Sequence, residues 1–289
     1  MYTLFTDTDT DINLVEAKEY GIKLISMPYI IDGKAIKPYE DFETFDSKSY
    51  YDMLRGGGLP STCGISPQDY INYFEPEFKE GKDVLYVHFS RRMSGTFMSL
   101  DIALEELKEK YPDRKCYLLD TKGITLCSYS IVTEIAKMYK NGAKIEEILK
   151  WGEKEVDHFA TYFFADDLKF FKKSGRVSNI AAFFGGIIGV RPLLTMNNDG
   201  EMKSIGKVKG KVNAINALVK YVEDLGVDLK SHQINIGHAD ALSLAESVKN
   251  ALVSKFGDDL NIKFVEVNPT AGAHCGPDTV GVSFYAKNR

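Results

Sequence analysis

Val84-Leu85-Tyr86-Val87-His88-Phe89 runs directly into Ser90-Arg91-Arg92-Met93-Ser94-Gly95-Thr96. Six apolar or ring-bearing residues in succession describe a strand buried on both faces, as in a parallel sheet. Beyond the loop, Phe97, Leu100, Leu104 and Leu107 recur at three- and four-residue steps, the pattern of an amphipathic helix. Ser94 falls at the N-cap position, with Gly95 and Thr96 opening the first turn. Hydroxyls and free backbone N–H groups then point out of a helix N-terminus at the carboxyl end of a strand. That geometry holds anions such as phosphate or carboxylate. Taken alone, the same stretch also reads as a capped helix without a ligand.

Strand and helix signals alternate in this way along the whole chain, the signature of an α/β protein. Tyr2–Thr6 reads as a strand, and Asp11 is placed to cap a helix that runs to Tyr20 and stops at Gly21. Leu24–Ile31 is expected as a strand, followed by a hairpin turn at Asp32-Gly33. Ser66-Pro67 starts a helix as N-cap and first residue, and Pro76 is expected to kink or end it. In the second half, Leu168–Lys173 is a short helix ended by Gly175, and Ser178 is placed to cap an apolar helix over Ile180–Ile188. Asn268–Pro277 reads as a loop between two strands. The chain has 289 residues, enough for two domains. The expected architecture is two closely packed α/β domains, residues 1–157 and 158–289, with a cleft between them.

Composition narrows the function. The net charge of −5 argues against nucleic acid as a partner. No apolar run approaches the roughly 20 residues that span a bilayer. The N-terminal segment has no basic region or cleavage site, which places the protein in the cytoplasm. Cys63, Cys116, Cys127 and Cys275 share no metal-binding spacing and are expected as reduced thiols.

Several chemistries fail on their residues. Asp7, Asp9 and Asp11 resemble a calcium loop, but Ile12 and Lys18 stand where such a loop needs Gly and Glu. A polar strand-to-helix turn is the simpler reading, and it lines the same sheet edge as Ser94. No G-x-x-x-x-G-K-[ST] phosphate loop exists, and Arg92 breaks the G-x-S-x-G elbow at Ser94. A serine acyl hydrolase using Ser94 with His274 stays as the alternative, and His88, inside an apolar strand, is expected as a core histidine. His274-Cys275 lacks companions for a zinc site. A histidine in that small-residue segment can, however, fix the direction in which a neighbouring hydroxyl donates. Ser174-Gly175-Arg176 is a basic segment able to meet a phosphate or an acidic partner. Phe183, Phe184, Ile187 and Ile188, interleaved with glycines, could wall a hydrophobic tunnel.

Taken together, these segments resemble the DegV family, whose members include the fatty-acid-binding subunit of bacterial fatty acid kinase. The resemblance covers essentially the whole chain: the Thr6–Asp11 turn, Thr62-Cys63-Gly64-Ile65-Ser66-Pro67, Ser90–Thr96, Leu119-Asp120-Thr121, Leu168 through Arg176 to Ser178, Arg191-Pro192-Leu193-Leu194 and His274-Cys275-Gly276-Pro277. It implies the DegV-like (EDD-type) fold and a protein without catalytic residues, cofactor or metal that holds a long-chain fatty acid, such as palmitate or oleate, in a buried tunnel. It further implies that Thr62, Ser94, Gly95, Thr96 and His274 handle the carboxylate, with His274 orienting the Thr62 hydroxyl. A separate ATP-binding kinase subunit would phosphorylate the bound acid, with Arg176, Arg191 and Lys209 facing that partner or the new phosphate. Such a protein serves lipid transport or phospholipid synthesis and touches membranes only transiently. The chain departs from the family pattern at Cys63-Gly64-Ile65, Cys275, Lys209 and Asp278.

Overall fold

The computed structural model describes residues 1–166, 168–178 and 189–289. A four-stranded, fully parallel sheet carries the strands in the order Lys23–Ile25, Tyr2–Asp7, Asp83–His88, Cys116–Asp120. Val84, Leu85, Tyr86 and Val87 of its central strand are wholly buried, as their unbroken apolar run requires. Helices Pro67–Lys79 and Thr96–Lys110 pack together beside it. Their apolar faces meet the sheet around Phe74, Tyr86 and Leu100.

A seven-stranded mixed sheet follows in the order Ile262–Glu266, Ile234–His238, Val280–Tyr285, Phe159–Phe164, Val190–Met196, Met202–Lys209, Val177–Ser178. Helices Lys211–Leu225 and Leu242–Phe256 cover one of its faces. Helix Leu126–Lys140 packs against strands of both sheets, and residues on all its sides are buried, including Ser128, Ser130 and Thr133. A small antiparallel sheet of Tyr29–Ile31, Lys34–Ile36 and Ser61–Thr62 sits apart from the other two.

Local chemistry differs from the sequence reading in several places. The stretch Leu24–Ile31 is not one strand, because Ser26, Met27 and Pro28 leave the parallel sheet and Tyr29–Ile31 joins the small one. The first helix is capped by Asn13 rather than Asp11: Asn13 Oδ1 accepts from Glu16 N at 2.9 Å, and Glu16 Oε2 accepts from Asn13 N at 3.3 Å. Asp11 instead adopts a left-handed backbone with φ of 60°. Pro76 lies inside helix Pro67–Lys79, which continues for one further turn. Ser94 has extended dihedrals and the helix begins at Thr96, so its hydroxyl caps from one residue further out, accepting from Thr96 N at 3.2 Å. Most consequential, Asn268–Pro277 is not a loop. Asn268 caps a helix over Pro269–Cys275, with Pro269 at the first position. Val177–Ser178 pairs with Met202–Lys203 as a strand, and the apolar segment after it, including Phe183, Phe184, Ile187 and Ile188, lies outside the described residues.

Candidate functional site

The carboxyl edge of the parallel sheet is where the candidate site forms, as ligands do in open α/β sheets. The strand Asp83–His88 delivers Ser90, whose backbone N–H donates to Gly123 O at 2.6 Å and whose hydroxyl donates to Gly200 O at 2.7 Å. This anchors the Ser90–Thr96 turn to the second sheet's hairpin. Ser94 Oγ accepts from Thr96 N at 3.2 Å, and among the described residues it donates to no protein acceptor. The Thr96 hydroxyl is engaged elsewhere, 3.2 Å from both Ile65 N and Tyr70 Oη. Thr96 thus ties the Pro60–Ile65 segment down, and the side chain is almost wholly buried. Gly64 permits this close approach, since a Cβ there would lie 3.1 Å from Thr96 Cα and Cβ.

The tie places Thr62 beside the helix Pro269–Cys275. Thr62 Oγ1 and His274 Nε2 lie 2.9 Å apart, joining residues 212 positions apart in sequence. Burial holds the His274 imidazole well below its usual range, at about 4, and the Arg176 and Lys173 charges add to the effect. The ring is therefore neutral at physiological pH. Lys173 Nζ donates to Pro60 O at 3.0 Å, so the basic segment closes over the same loop.

Thr62, Ser94, Gly95, Thr96, Arg176 and His274 all line one cavity of about 390 Å³. That volume falls within the ~300–1,000 Å³ of small-molecule sites. Thr62, Ser94, Arg176 and His274 retain solvent exposure and form its mouth. Its interior is walled by apolar side chains that the sequence reading did not single out for the site, among them Phe89, Met93, Phe163, Phe171 and Met196. Asp9, Thr125 and Thr161 also reach this wall. Thr125 is a β-branched residue at φ 50°, a strained conformation fixed by its N–H donating to Asp9 O at 2.7 Å. The sequence reading placed Asp9 in a polar turn at this sheet edge, whereas nothing in the sequence marked Thr125 or Thr161.

Two other expected residues are placed elsewhere. Arg191 is not presented to a partner: its side chain is buried and paired with Asp166. Lys209 is exposed at the end of the strand Met202–Lys209, opposite Val190, and does not line the cavity. The pairing needed by a serine hydrolase is missing too. His274 Nε2 bonds Thr62, Ser94 Oγ bonds Thr96 N, and among the described residues no hydrogen bond joins Ser94 to His274. His88 is a core residue, its Nδ1 2.7 Å from Phe89 O. Among the described residues no three His, Cys, Asp or Glu side chains are grouped to hold a metal, and all four cysteines are free. No described helix is long and apolar enough to cross a membrane.

Comparison with known proteins agrees with this architecture. The DegV family model matches residues 1–287. A DegV domain-containing protein of Clostridium perfringens is 32% identical over 289 residues, covering 100% of this chain and 98% of the relative. One from Caldanaerobacter subterraneus is 30% identical, covering 98% of each. Among solved structures, a DegV family protein from Thermus thermophilus described as fatty acid binding superposes with a TM-score of 0.84 at 20% identity, over 99% of both chains. A stearic acid-binding protein of Eubacterium ventriosum gives 0.84 at 19% identity, again over 99% of both. The mixed α/β fold is shared with these proteins across the full length, and the chain belongs to the DegV family.

Proposed function

We propose that this protein binds a long-chain fatty acid, with the carboxylate at the cavity mouth and the acyl chain inside. The observation that carries the reading is the Thr62–His274 pair at 2.9 Å beside the Ser94 hydroxyl, at the mouth of an apolar-walled cavity. With the His274 Nε2–H donating to Thr62 Oγ1, the Thr62 hydroxyl proton is free to donate to an anion, as is that of Ser94. Gly95 lies at the start of the helix, where N–H groups have no intrahelical acceptor. A carboxylate is thereby held by neutral donors, and exposed Arg176 adds a distant positive charge. The alkyl chain supplies affinity at about 0.8 kcal/mol per buried CH₂. Neighbours from Thermus thermophilus and Eubacterium ventriosum, described as fatty acid binding and stearic acid binding, support the same ligand class.

The two sheets form two lobes, residues 1–157 carrying the carboxylate loops and residues 158–289 covering the chain and supplying His274. The protein acts as a binder and not as an enzyme, presenting the carboxylate to a separate ATP-dependent kinase subunit with Arg176 at the meeting point. Mass spectrometry of an organic extract of the purified protein tests the ligand: a stoichiometric long-chain acid is the expected result. Its absence, together with no uptake of added palmitate or oleate, overturns the reading. Formation of an acyl phosphate only when a kinase subunit and ATP are added tests the presentation step.

A further inference from the structure

No residue of the helix Ser47–Arg55 lines the cavity, yet this helix grips both halves of the Thr62–His274 pair. Tyr50 meets the two halves at once. Its ring packs edge-on against Tyr29, centroids 5.4 Å apart, and Tyr29 lies directly opposite Thr62 in the small antiparallel sheet. Its hydroxyl donates to Pro269 O at 2.7 Å, in the first turn of the helix that carries His274. Tyr51 Oη donates to Val267 O at 2.9 Å, just ahead of that helix, and a Cβ at Gly272 would lie 2.6 Å from the same hydroxyl oxygen. Arg55 holds the far end. Its guanidinium takes both oxygens of Asp278, at 3.1 and 3.4 Å, donates to Asp240 O and Asp52 Oδ1 at 3.0 Å each, and pairs with Asp240 Oδ2. Beside Asp278, the Thr279 hydroxyl donates to Cys275 O at 3.0 Å and closes the helix C-terminus onto the same turn.

An isolated surface ion pair fixes little, but an arginine fork that reaches three aspartates imposes a geometry. Asp240 and Asp278 both hold left-handed backbones, φ 47° and 60°, in turns beside the paired ends of strands Ile234–His238 and Val280–Tyr285. Such backbone persists where the surroundings over-determine it, and Arg55 ties both turns to one helix. Resting on the fatty-acid reading above, we propose that Tyr50 and Arg55 are positioning residues of the carboxylate site: from outside the cavity they hold the His274 helix in register with the Thr62 strand, and so set ligand affinity without touching the ligand. The register has little slack. Hydrogen bonds of this kind span ~2.7–3.2 Å, so a slip of about 0.5 Å between helix and strand takes the pair out of range. The Thr62 hydroxyl would then lose the partner that directs its proton toward an anion.

The test uses the full chain, stripped of lipid, with palmitate as the probe. Affinity is read by isothermal titration and the His274 imidazole by NMR across pH. Arg55→Gln removes the fork and is expected to weaken palmitate binding about fivefold, ~1 kcal/mol. Loosening the helix also admits water to the imidazole, so its pKa rises from about 4 toward the ordinary histidine range. Tyr50→Phe keeps the ring and removes the bond to Pro269 O, with the same two changes expected at about threefold in affinity. Asp278→Gly guards against a mere loss of folding: glycine adopts φ near 60° without strain, while the Arg55 contact is gone, and both readouts are expected to move in the same directions. Affinity and His274 titration unchanged in all three variants overturn the proposal and leave the fatty-acid reading standing. A change in one readout alone also overturns it. Affinity lost with His274 unmoved means that the helix has not shifted, and His274 moved at full affinity means that its register does not govern the ligand. If the wild type takes up neither palmitate nor oleate, the fatty-acid reading itself has failed and the positioning role goes with it.

Discussion

Asp7–Asp11 and Ser90–Thr96 follow neighbouring strands and leave the same edge of one parallel sheet, yet their polar groups serve different ends. In the first turn most side chains are committed to the protein. Asp7 Oδ2 accepts from Tyr86 Oη at 3.0 Å and from Phe89 N at 3.2 Å, which ties the first strand to the second turn. Asp11 Oδ1 accepts from Asn268 N at 2.9 Å and Asn268 Nδ2 at 2.7 Å, and so fixes the residue that caps the His274 helix. The second turn keeps the Ser94 hydroxyl proton in reserve at a half-exposed mouth. One turn is a clamp and the other, on the function proposed above, a receptor, with the clamp holding the helix that carries His274.

The largest expected effect separates the two by pH. Burial pushes the Asp7 carboxyl up to about 7, against partial relief from Phe89 N–H and the Tyr86 hydroxyl. Between about 4 and 7 the folded chain keeps a proton that the unfolded chain has released, so this group lowers stability as pH rises, and the loss levels off above about 7. His274, held near 4, acts with the opposite sign: the unfolded chain protonates first, and stability falls as pH drops from the ordinary histidine range toward 4. Asp7→Asn should therefore gain on the wild type as pH rises through this window, and His274→Gln should gain as pH falls. Each gap approaches ~1.4 kcal/mol per pH unit at its steepest. Urea unfolding across the pH range decides it, and parallel curves for wild type and both variants would remove the contrast.

Next comes the clamp itself. At pH 5.5 Asp11→Ala strands the backbone and side-chain donors of Asn268, each of which is buried, and should cost about 2–3 kcal/mol in unfolding free energy. A loss below about 0.5 kcal/mol, within the range of ordinary surface changes, would show that the helix Pro269–Cys275 is held by its apolar contacts instead.

This contact also marks the limit of what the sequence discloses. The strand Val84–Phe89 and its following helix were legible because a continuous apolar run and a three-to-four periodicity each admit few alternatives. The Asn268 helix was not: its Asn268-Pro269 cap is local, but Pro269-Thr270-Ala271-Gly272-Ala273 is small and periodless, and its burial is supplied by tertiary partners such as Asp11, Met27 and Tyr51. Pro76, expected to kink or end its helix, does not end it, for a related reason. It breaks an isolated helix, but here the flanking Phe74, Glu77 and Phe78 are buried and hold the last turn in place. The Thr62–His274 pair has no local signature at all, and only resemblance to a family joined the two segments. Arg191 was misread because its partner, Asp166, lies 25 residues away on another strand's end.

The receptor turn responds more gently. Ser94→Ala removes one donor to the carboxylate and the cap to Thr96 N–H, and it should weaken binding of palmitate by about 0.5–1.5 kcal/mol. Fold stability should fall by a similar amount, about 0.5–1 kcal/mol, because the cap is lost. Isothermal titration of delipidated protein separates the two. Unchanged affinity would remove Ser94 from the receptor and leave it as a cap.

The smallest effect belongs to Arg176, and it sharpens the contrast most finely. Its guanidinium is exposed, bonds the Ser174 carbonyl, and reaches the cavity only at the mouth. An exposed charge acting through solvent contributes about 0.2–1 kcal/mol, so Arg176→Gln should weaken palmitate binding by less than Ser94→Ala does. The difference should shrink as salt is raised from 0.1 M to 1 M, since screening shortens from ~10 to ~3 Å, whereas the Ser94→Ala deficit should persist because a hydrogen bond is not screened in this way. The same substitution should raise the His274 pKa, Arg176 being the larger of the two charges that depress it after burial. Titrating the imidazole by NMR in wild type and variant provides that second readout. A salt-independent loss of affinity with no movement of His274 would mean that Arg176 shapes the mouth sterically, and the receptor would then rest on its neutral donors alone.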